Sequence, residues 1–290
     1  MSKDKFTATW VSHSSINDFL QCPRAYYLKN IYKDPQTNHK VQIMAPALAL
    51  GQAVHEVLES LSTIPTDSRF KQSLMEKFDK VWKNVRGIKG GFLSDDIEQQ
   101  YKKRGEEMIR RVMSNPGPVA RLAVKIQEDL PYFYLSENDN IILCGKIDWL
   151  EYLPDTDSVH IVDFKTSQRE EKKASLQLPI YHLLVHHCQK RKVDKLSYWY
   201  LGLNDDLTEK NLPDLETAYD EILSIAKKIK LARSLNHFKC PQGDKGCYAC
   251  KPFEKILRGE AHHVGTGGFN RDIYILKDKE DEQVKESVIL

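Results

Sequence analysis

Asp163 and Lys165 stand two residues apart at the end of the apolar run Val159-His160-Ile161-Val162. If that run is a β-strand, its side chains alternate between faces, so the acid and the amine share one face at one strand end. A carboxylate that can hold a cation, beside a lysine whose amine can help deprotonate or orient the attacking water, is the pairing that metal-assisted phosphodiester hydrolysis requires. Asp-x-Lys alone is common and is usually a solvated surface pair, so it needs company. Asp148, in Gly145-Lys146-Ile147-Asp148, is expected at the end of the preceding strand, where two acids can converge on one cation; the plainer role for such an Asp is to cap a turn. His55 flanks the helical stripe Val54, Val57, Leu58 and Leu61 and could add a nitrogen ligand, although a lone histidine there is more often a boundary residue. Gln177 and Tyr181 fall at i and i+4, hence on one face of the helix expected after the Asp163 strand.

The elements that must position these residues can be read from the same chain. Its 290 residues are 41% apolar, ample for a buried core. No stretch approaches 18 uncharged apolar residues and Met1-Ser2-Lys3-Asp4-Lys5 leads into no apolar signal core, so a cytoplasmic protein is expected. The net charge of +2 neither demands nor excludes a polyanionic partner; the basic clusters at 102–104, 190–192 and 227–230 read singly as solvated helix faces. Residues 14–31 read as helical, with Ser15 and Asp18 at capping-box-like spacing and an interruption at Cys22-Pro23. A second helix opens near Ala47. Residues 66–125 are charged and helix-favouring, broken at 87–91 and 115–118. Strands are expected over 124–135, 141–153 and 159–165, then a helix over 174–190, a strand over 195–203 and a long helix over 214–235. This is an α/β core, followed beyond 278 by a polar tail. Neither a Walker A loop nor a dinucleotide fingerprint is present.

Six cysteines in such a chain argue against a disulfide framework and toward metal binding or burial. Cys144 and Cys188 lie in apolar segments and read as core. Cys240, Cys247 and Cys250 crowd into a turn-rich loop, and Cys22 stands far upstream.

Taken in order, Leu50-Gly51-Gln52-Ala53-Val54-His55, Cys144-Gly145-Lys146-Ile147-Asp148, Ile161-Val162-Asp163-Phe164-Lys165-Thr166 and Leu176-Gln177-Leu178-Pro179-Ile180-Tyr181 resemble the motifs of the PD-(D/E)XK nuclease superfamily, specifically its RecB-like branch, over about residues 12–253. The resemblance implies a restriction-endonuclease-like core with a central mixed sheet flanked by helices, a helical insertion and a C-terminal cysteine clasp. It implies one nuclease domain over 1–290: N-terminal helices at 12–62, the insertion at 63–123, the catalytic core at 124–205, a helix and cysteine loop at 206–258, and a tail at 259–290. His55, Asp148 and Asp163 would bind Mg or Mn, with the Phe164 carbonyl as a further ligand. Lys165 would activate the water, and Gln177 and Tyr181 would lie near the nucleic acid and the lysine. Glu128, in the first strand, is an additional candidate acid.

Cys22, in Phe19-Leu20-Gln21-Cys22-Pro23-Arg24-Ala25-Tyr26-Tyr27, with Cys240, Cys247 and Cys250 resembles the clasp of the iron-sulfur members, including AddB-type and CRISPR adaptation nucleases, which implies a 4Fe-4S cluster. The spacing departs from the common pattern, since a third cysteine is expected near Ile256 and Cys240 precedes the Cys-x-x-Cys pair instead. His237-x-x-Cys240 with Cys247-x-x-Cys250 therefore stays open as a zinc set, leaving Cys22 a bystander. The family leans toward DNA, often single-stranded or with free ends, in repair, recombination or CRISPR adaptation. Arg24, Tyr26, Tyr27 and Lys29 interleave basic and aromatic side chains as single-strand binding would require, and helix packing explains the tyrosines equally well. No helicase motor is present, so coupled unwinding would need a partner polypeptide, and no membrane association is expected. Two other readings remain: a nuclease-fold binding or scaffolding subunit that has lost hydrolysis, and a zinc-containing nucleic-acid-binding module.

Overall fold

In a computed structural model, which describes residues 5–172 and 174–276, the chain enters through β1 (Thr9–Val11), α1 (His13–Gln21) and α2 (Pro23–Asn30). Ser12 and Ser15 exchange the two bonds of a capping box. The cap thus forms one turn earlier than the Ser15/Asp18 spacing suggested, and Asp18 instead holds Lys29 at 2.6 Å and Asn30 at 3.1 Å, fixing α1 on α2. The helices part at Cys22, which is extended, with Pro23 opening α2 where its missing N–H costs nothing. The polar tail expected beyond 278 lies outside the described residues.

β2 (Lys40–Ile43) leads to α3 (Pro46–Ser60), against which α4 (Leu74–Val85) and α5 (Asp95–Ser114) pack. The helical segment read as an insertion packs on the core: Phe78, Trp82, Met108 and Ile109 are buried with Leu50, Val54 and Val57. Gly105 marks the tightest crossing, because a Cβ there would lie 2.4 Å from the Phe78 ring and 3.0 Å from Leu50. Gly105→Ala is expected to destabilise the protein by about 1–3 kcal/mol through overpacking, read as a lower denaturant midpoint with an unchanged slope.

Next come β3 (Tyr132–Ser136), β4 (Ile141–Cys144), β5 (Trp149–Leu153), β6 (Ser158–Lys165), α6 (Gln177–Cys188), β7 (Val193–Tyr200) and β8 (Thr208–Lys210). The two long strands expected over 124–135 and 141–153 are each shorter than their apolar runs. Residues 124–131 carry no strand, and 145–148 leave the ladder where the chain passes from one sheet to another. Gly145 makes that passage possible, since a Cβ would come within 2.9 Å of Leu184. β4 lies between β1 and β3, whereas β5, β6, β7 and β8 form a mixed four-stranded sheet in that order, with β6 parallel to β7. β7 ends at Tyr200, not 203.

The four-stranded sheet divides the interior. Val159 and Ile161 of β6, with Leu196, Tyr198 and Tyr200 of β7, face α6 and α7 (Leu215–Ser234). Val162, Phe164, Trp199 and Trp149 face α3 to α5. On that second face His160 bonds Glu151 on one ring nitrogen and Ser197 on the other, both at 2.8 Å. Ser197 is 1% exposed, so no substrate reaches this serine; the trio staples β5, β6 and β7 together.

After α8 (Lys251–Leu257), β9 (Ala261–Gly267) and β10 (Arg271–Leu276) form a hairpin where the sequence reading placed only tail. β10 also pairs in parallel with β2. Buried Asp272 pins it, bonding Thr37 at 2.5 Å and His39 at 2.9 Å. Among the described residues no helix is long and apolar enough to cross a membrane.

Candidate active site and thiol cluster

Strand alternation carries β6 from Val159 and Ile161 directly into Asp163 and Lys165, so two charges continue an otherwise apolar row facing α6. Lys165 Nζ lies 2.8 Å from Asp163 Oδ2, forming the same-face pair that the sequence suggested. Gln177, opening α6, bridges them: its amino group donates to Asp163 Oδ1 at 2.7 Å and its carbonyl accepts from Lys165 Nζ. The same amino group reaches the Tyr181 hydroxyl at 3.2 Å, one turn on. Asp163 Oδ2 is buried and has no hydrogen-bond partner beyond the Lys165 ion pair, leaving an acceptor that a cation could satisfy.

Asp148 arrives differently from the expected route. It precedes β5 instead of ending a strand, and because β5 runs antiparallel to β6, with Trp149 opposite Val162, the start of β5 lies beside the end of β6. There Asp148 Oδ2 accepts from the Phe164 backbone N–H at 2.9 Å. Its other oxygen lies 3.3 Å from His55 Nδ1 on α3. α3 runs close to the end of β6 here, with Gly51 facing Thr166 across a gap that a Cβ would just fill, at 3.4 Å. Phe164 itself points to the other face, its ring 6.1 Å from the His55 ring.

His55, Glu59 and Asp148 each place a ligand atom within 4.8 Å of the others. Glu59, a turn beyond His55, was not singled out from the sequence, although i, i+4 spacing puts it on the same helix face. Asp163 stands beside this trio, occupied by Lys165 and Gln177. One imidazole with several carboxylates suits Mn, and Mg with retained water. A cleft of about 600 Å³ opens onto the trio, lined among others by Glu56, Lys125, Glu128 and Lys146. Glu128 therefore borders the site from the irregular stretch before β3, not from a strand, and Lys146 pairs with Glu59.

The electrostatics are those of a site short of positive charge. Burial and the neighbouring Asp148 push the Asp163 carboxyl up to about 7, with Lys165 and His55 offsetting only part of this. Burial works against protonation of His55, but Asp148, Glu59 and Asp163 override it and push its pKa to about 10. Burial, then the charges of Asp163 and Asp148, raise the Tyr181 phenol well above its ordinary value, so it serves as a neutral hydroxyl. His13, at the start of α1, is lowered by burial and by Lys165; it borders the site and was missed from the sequence.

The basic-aromatic series on α2 is otherwise engaged. Arg24 pairs with Glu254 of α8 at 2.7 Å, Tyr26 is 1% exposed in the core, Tyr27 packs on Phe238 and Lys29 holds Asp18. Packing, not an open stacking surface, accounts for these residues.

Away from the cleft, Cys22, Cys240, Cys247 and Cys250 bring their sulfurs within 4.8 Å of one another, all four buried. Exposed His237 is not among them, so the His237 zinc set is not assembled and Cys22 is a full member of the cluster. Cys144 is buried and Cys188 half-buried, apart from it, as expected.

Comparison with known proteins places the fold. The model of the PD-(D/E)XK nuclease superfamily matches residues 10–253. No curated protein matches. Among solved structures, one from Eubacterium rectale, named "putative exonuclease", is similar in fold with a TM-score of 0.51 at 14% identity, covering 87% of this chain and 92% of that one.

Proposed function

Since the chain belongs to the PD-(D/E)XK nuclease superfamily, we propose that it is a metal-dependent deoxyribonuclease of RecB-like type, digesting single-stranded DNA or DNA from its ends. One observation carries this: at the end of β6 Gln177 holds the Lys165 ammonium against Asp163, directly beside the compact His55, Glu59 and Asp148 group. The name of the similar Eubacterium rectale structure is in keeping with action from a free end. Four thiols free of disulfides suit a reducing, cytoplasmic setting.

His55, Glu59 and Asp148, with Asp163 completing the set, would hold Mg or Mn. Held there, a cation would supply Lewis-acid polarisation of the phosphoryl oxygen and offset the charge that develops on it. The chain's own groups do the rest. Lys165 has three N–H donors; Asp163 and Gln177 take two and fix the ammonium in place, and the third, with the Glu171 carboxylate 3.6 Å away, would orient the attacking water. The new oxygen-phosphorus bond forms as the ester bond on the opposite side of phosphorus breaks. The Gln177 amide has only one orientation that serves both neighbours, so it locks the donor direction of Lys165. The acid-rich cleft repels phosphate on its own, which makes cation loading a precondition for backbone binding. Unwinding of duplex substrate falls to a separate helicase or recombination partner.

The test is cleavage of end-labelled linear DNA and closed circular DNA, single- and double-stranded, with Mn or Mg. Cation-dependent loss of linear single strands is expected from the wild type. If the wild type cleaves no better than Asp148→Asn, the assignment fails. Glu59→Gln is expected to raise the Mn concentration for half-maximal rate by about ten- to a hundredfold with little change in the saturated rate, seen in a metal titration.

A further inference from the structure

We propose that the four-cysteine clasp is built for one tetrahedral zinc ion and not for the four-iron cluster that its likeness to iron-sulfur nucleases implied. The inference stands independently of the nuclease reading, because the clasp joins the α1–α2 junction to the 240–250 loop that leads into α8, away from the cleft.

Three observations carry it. The first is spacing. A single ion with metal-sulfur bonds of about 2.3 Å in a tetrahedron sets its thiolates about 3.8 Å apart. Cys247 and Cys250 are 3.8 Å apart, and all four sulfurs lie within 4.8 Å of one another. In a cubane cluster each thiolate binds a different iron, with iron and sulfide between them, so the four sulfurs must stand further apart than around one ion.

The second is confinement. Ala25, Leu28, Ala249, Phe253 and Ile256 are buried around the thiols. Gly246, at φ +68°, brings the backbone so close that a Cβ would lie 3.2 Å from Cys250 Sγ. The Arg24–Glu254 pair at 2.7 Å ties α2 to α8 beside it. Widening the set to admit a cluster would have to move packed helices, not only rotate side chains.

The third is the local turn. The Cys247 N–H donates to Cys250 Sγ at 3.2 Å, and the Gln242 N–H donates to Cys240 Sγ at 3.4 Å. Backbone donors aimed at sulfur stabilise thiolate ligands, which a dication shared by four of them requires. Cys240, seven residues ahead of Cys247 and out of the usual iron-sulfur order, supplies the third corner, and Cys22 closes the fourth.

The experiment is anaerobic purification of the full chain from iron-replete cells, followed by metal analysis, an acid-labile sulfide assay and native mass spectrometry. Colourless protein with one zinc per chain and no sulfide is expected. Iron, with or without sulfide, overturns the proposal, as does metal-free protein. His237→Ala should keep its zinc, and zinc loss there would also overturn it. Cys22→Ser should lose zinc; should that variant fail to fold, the wild-type zinc and sulfide content still decides.

Discussion

Replacing Lys165 with methionine is expected to lower the cleavage rate of the proposed nuclease by about a hundredfold to ten-thousandfold while leaving the fold intact. The lysine stem is largely buried and its ammonium sits 5.2 Å from the centre of the Tyr198 ring, so a methionine of similar volume fills the same space. What is lost is the donor held between Asp163 and Gln177. A second effect adds to the first. Burial and Asp148 already raise Asp163 to about 7, and Lys165 is its principal offset; without it the carboxyl stays protonated at higher pH and holds a cation poorly. Saturating Mn at pH 9 should therefore restore part of the loss by ionising Asp163, and none of the part due to the missing donor. Circular dichroism checks the fold and single-turnover cleavage reads the rate. A variant that keeps more than a tenth of the wild-type rate would remove Lys165 from the chemistry.

The second large effect is on pH dependence. Asp163 is raised to about 7 and His55 to about 10, from ordinary values of 3.8 and 6.5. Both folded pKa values are raised, so each group contributes stability below its unfolded pKa and loses it as pH climbs to the folded one. For Asp163 that window runs from about pH 4 to 7, and for His55 from about 6.5 to 10. A cation needs both groups deprotonated, so its binding expels about two protons below pH 7 and about one above it. The logarithm of Mn affinity is expected to rise with pH at a slope that falls from about two to about one through neutrality. Asp163→Asn should follow a slope near one throughout, and in the absence of cation it should melt above wild type at pH 8, because it no longer buries an ionised carboxylate. Calorimetric Mn titrations from pH 6 to 9 check this. A flat profile would mean that neither group answers to the cation.

How much of this was legible in the sequence depended on the range of the signal. Period-2 alternation put Asp163 and Lys165 on one face, and i, i+4 spacing put Gln177 over Tyr181; both are local and both adjacencies are present. The Cys22-Pro23 break was equally local. Asp148 reached its place for a reason alternation does not encode: the chain changes sheets at 145–148, so it starts one strand instead of ending another. β1, β2 and β8 are three or four residues long, too short to show a period. β2 gains its partner only from β10, far along the chain. Arg24 and Lys29 looked free because Glu254 and Asp18 lie across helix contacts that sequence spacing does not show. Glu59 was readable, since it repeats the His55 phase one turn on, but an acid on a charged helix carries no distinguishing mark.

The clasp also sets a timetable for biosynthesis. Roughly 220 residues separate Cys22 from Cys240, so at ribosomal rates of about 5–20 residues per second the first thiol emerges on the order of ten to forty seconds before its partners. During that interval α2 lacks its contact with α8, and β2 still awaits β10. The clasp and the β2–β10 pairing thus form late, after the sheet that carries Asp163 is already made. Cys22 waits through that interval without the three thiols that meet it in the folded chain.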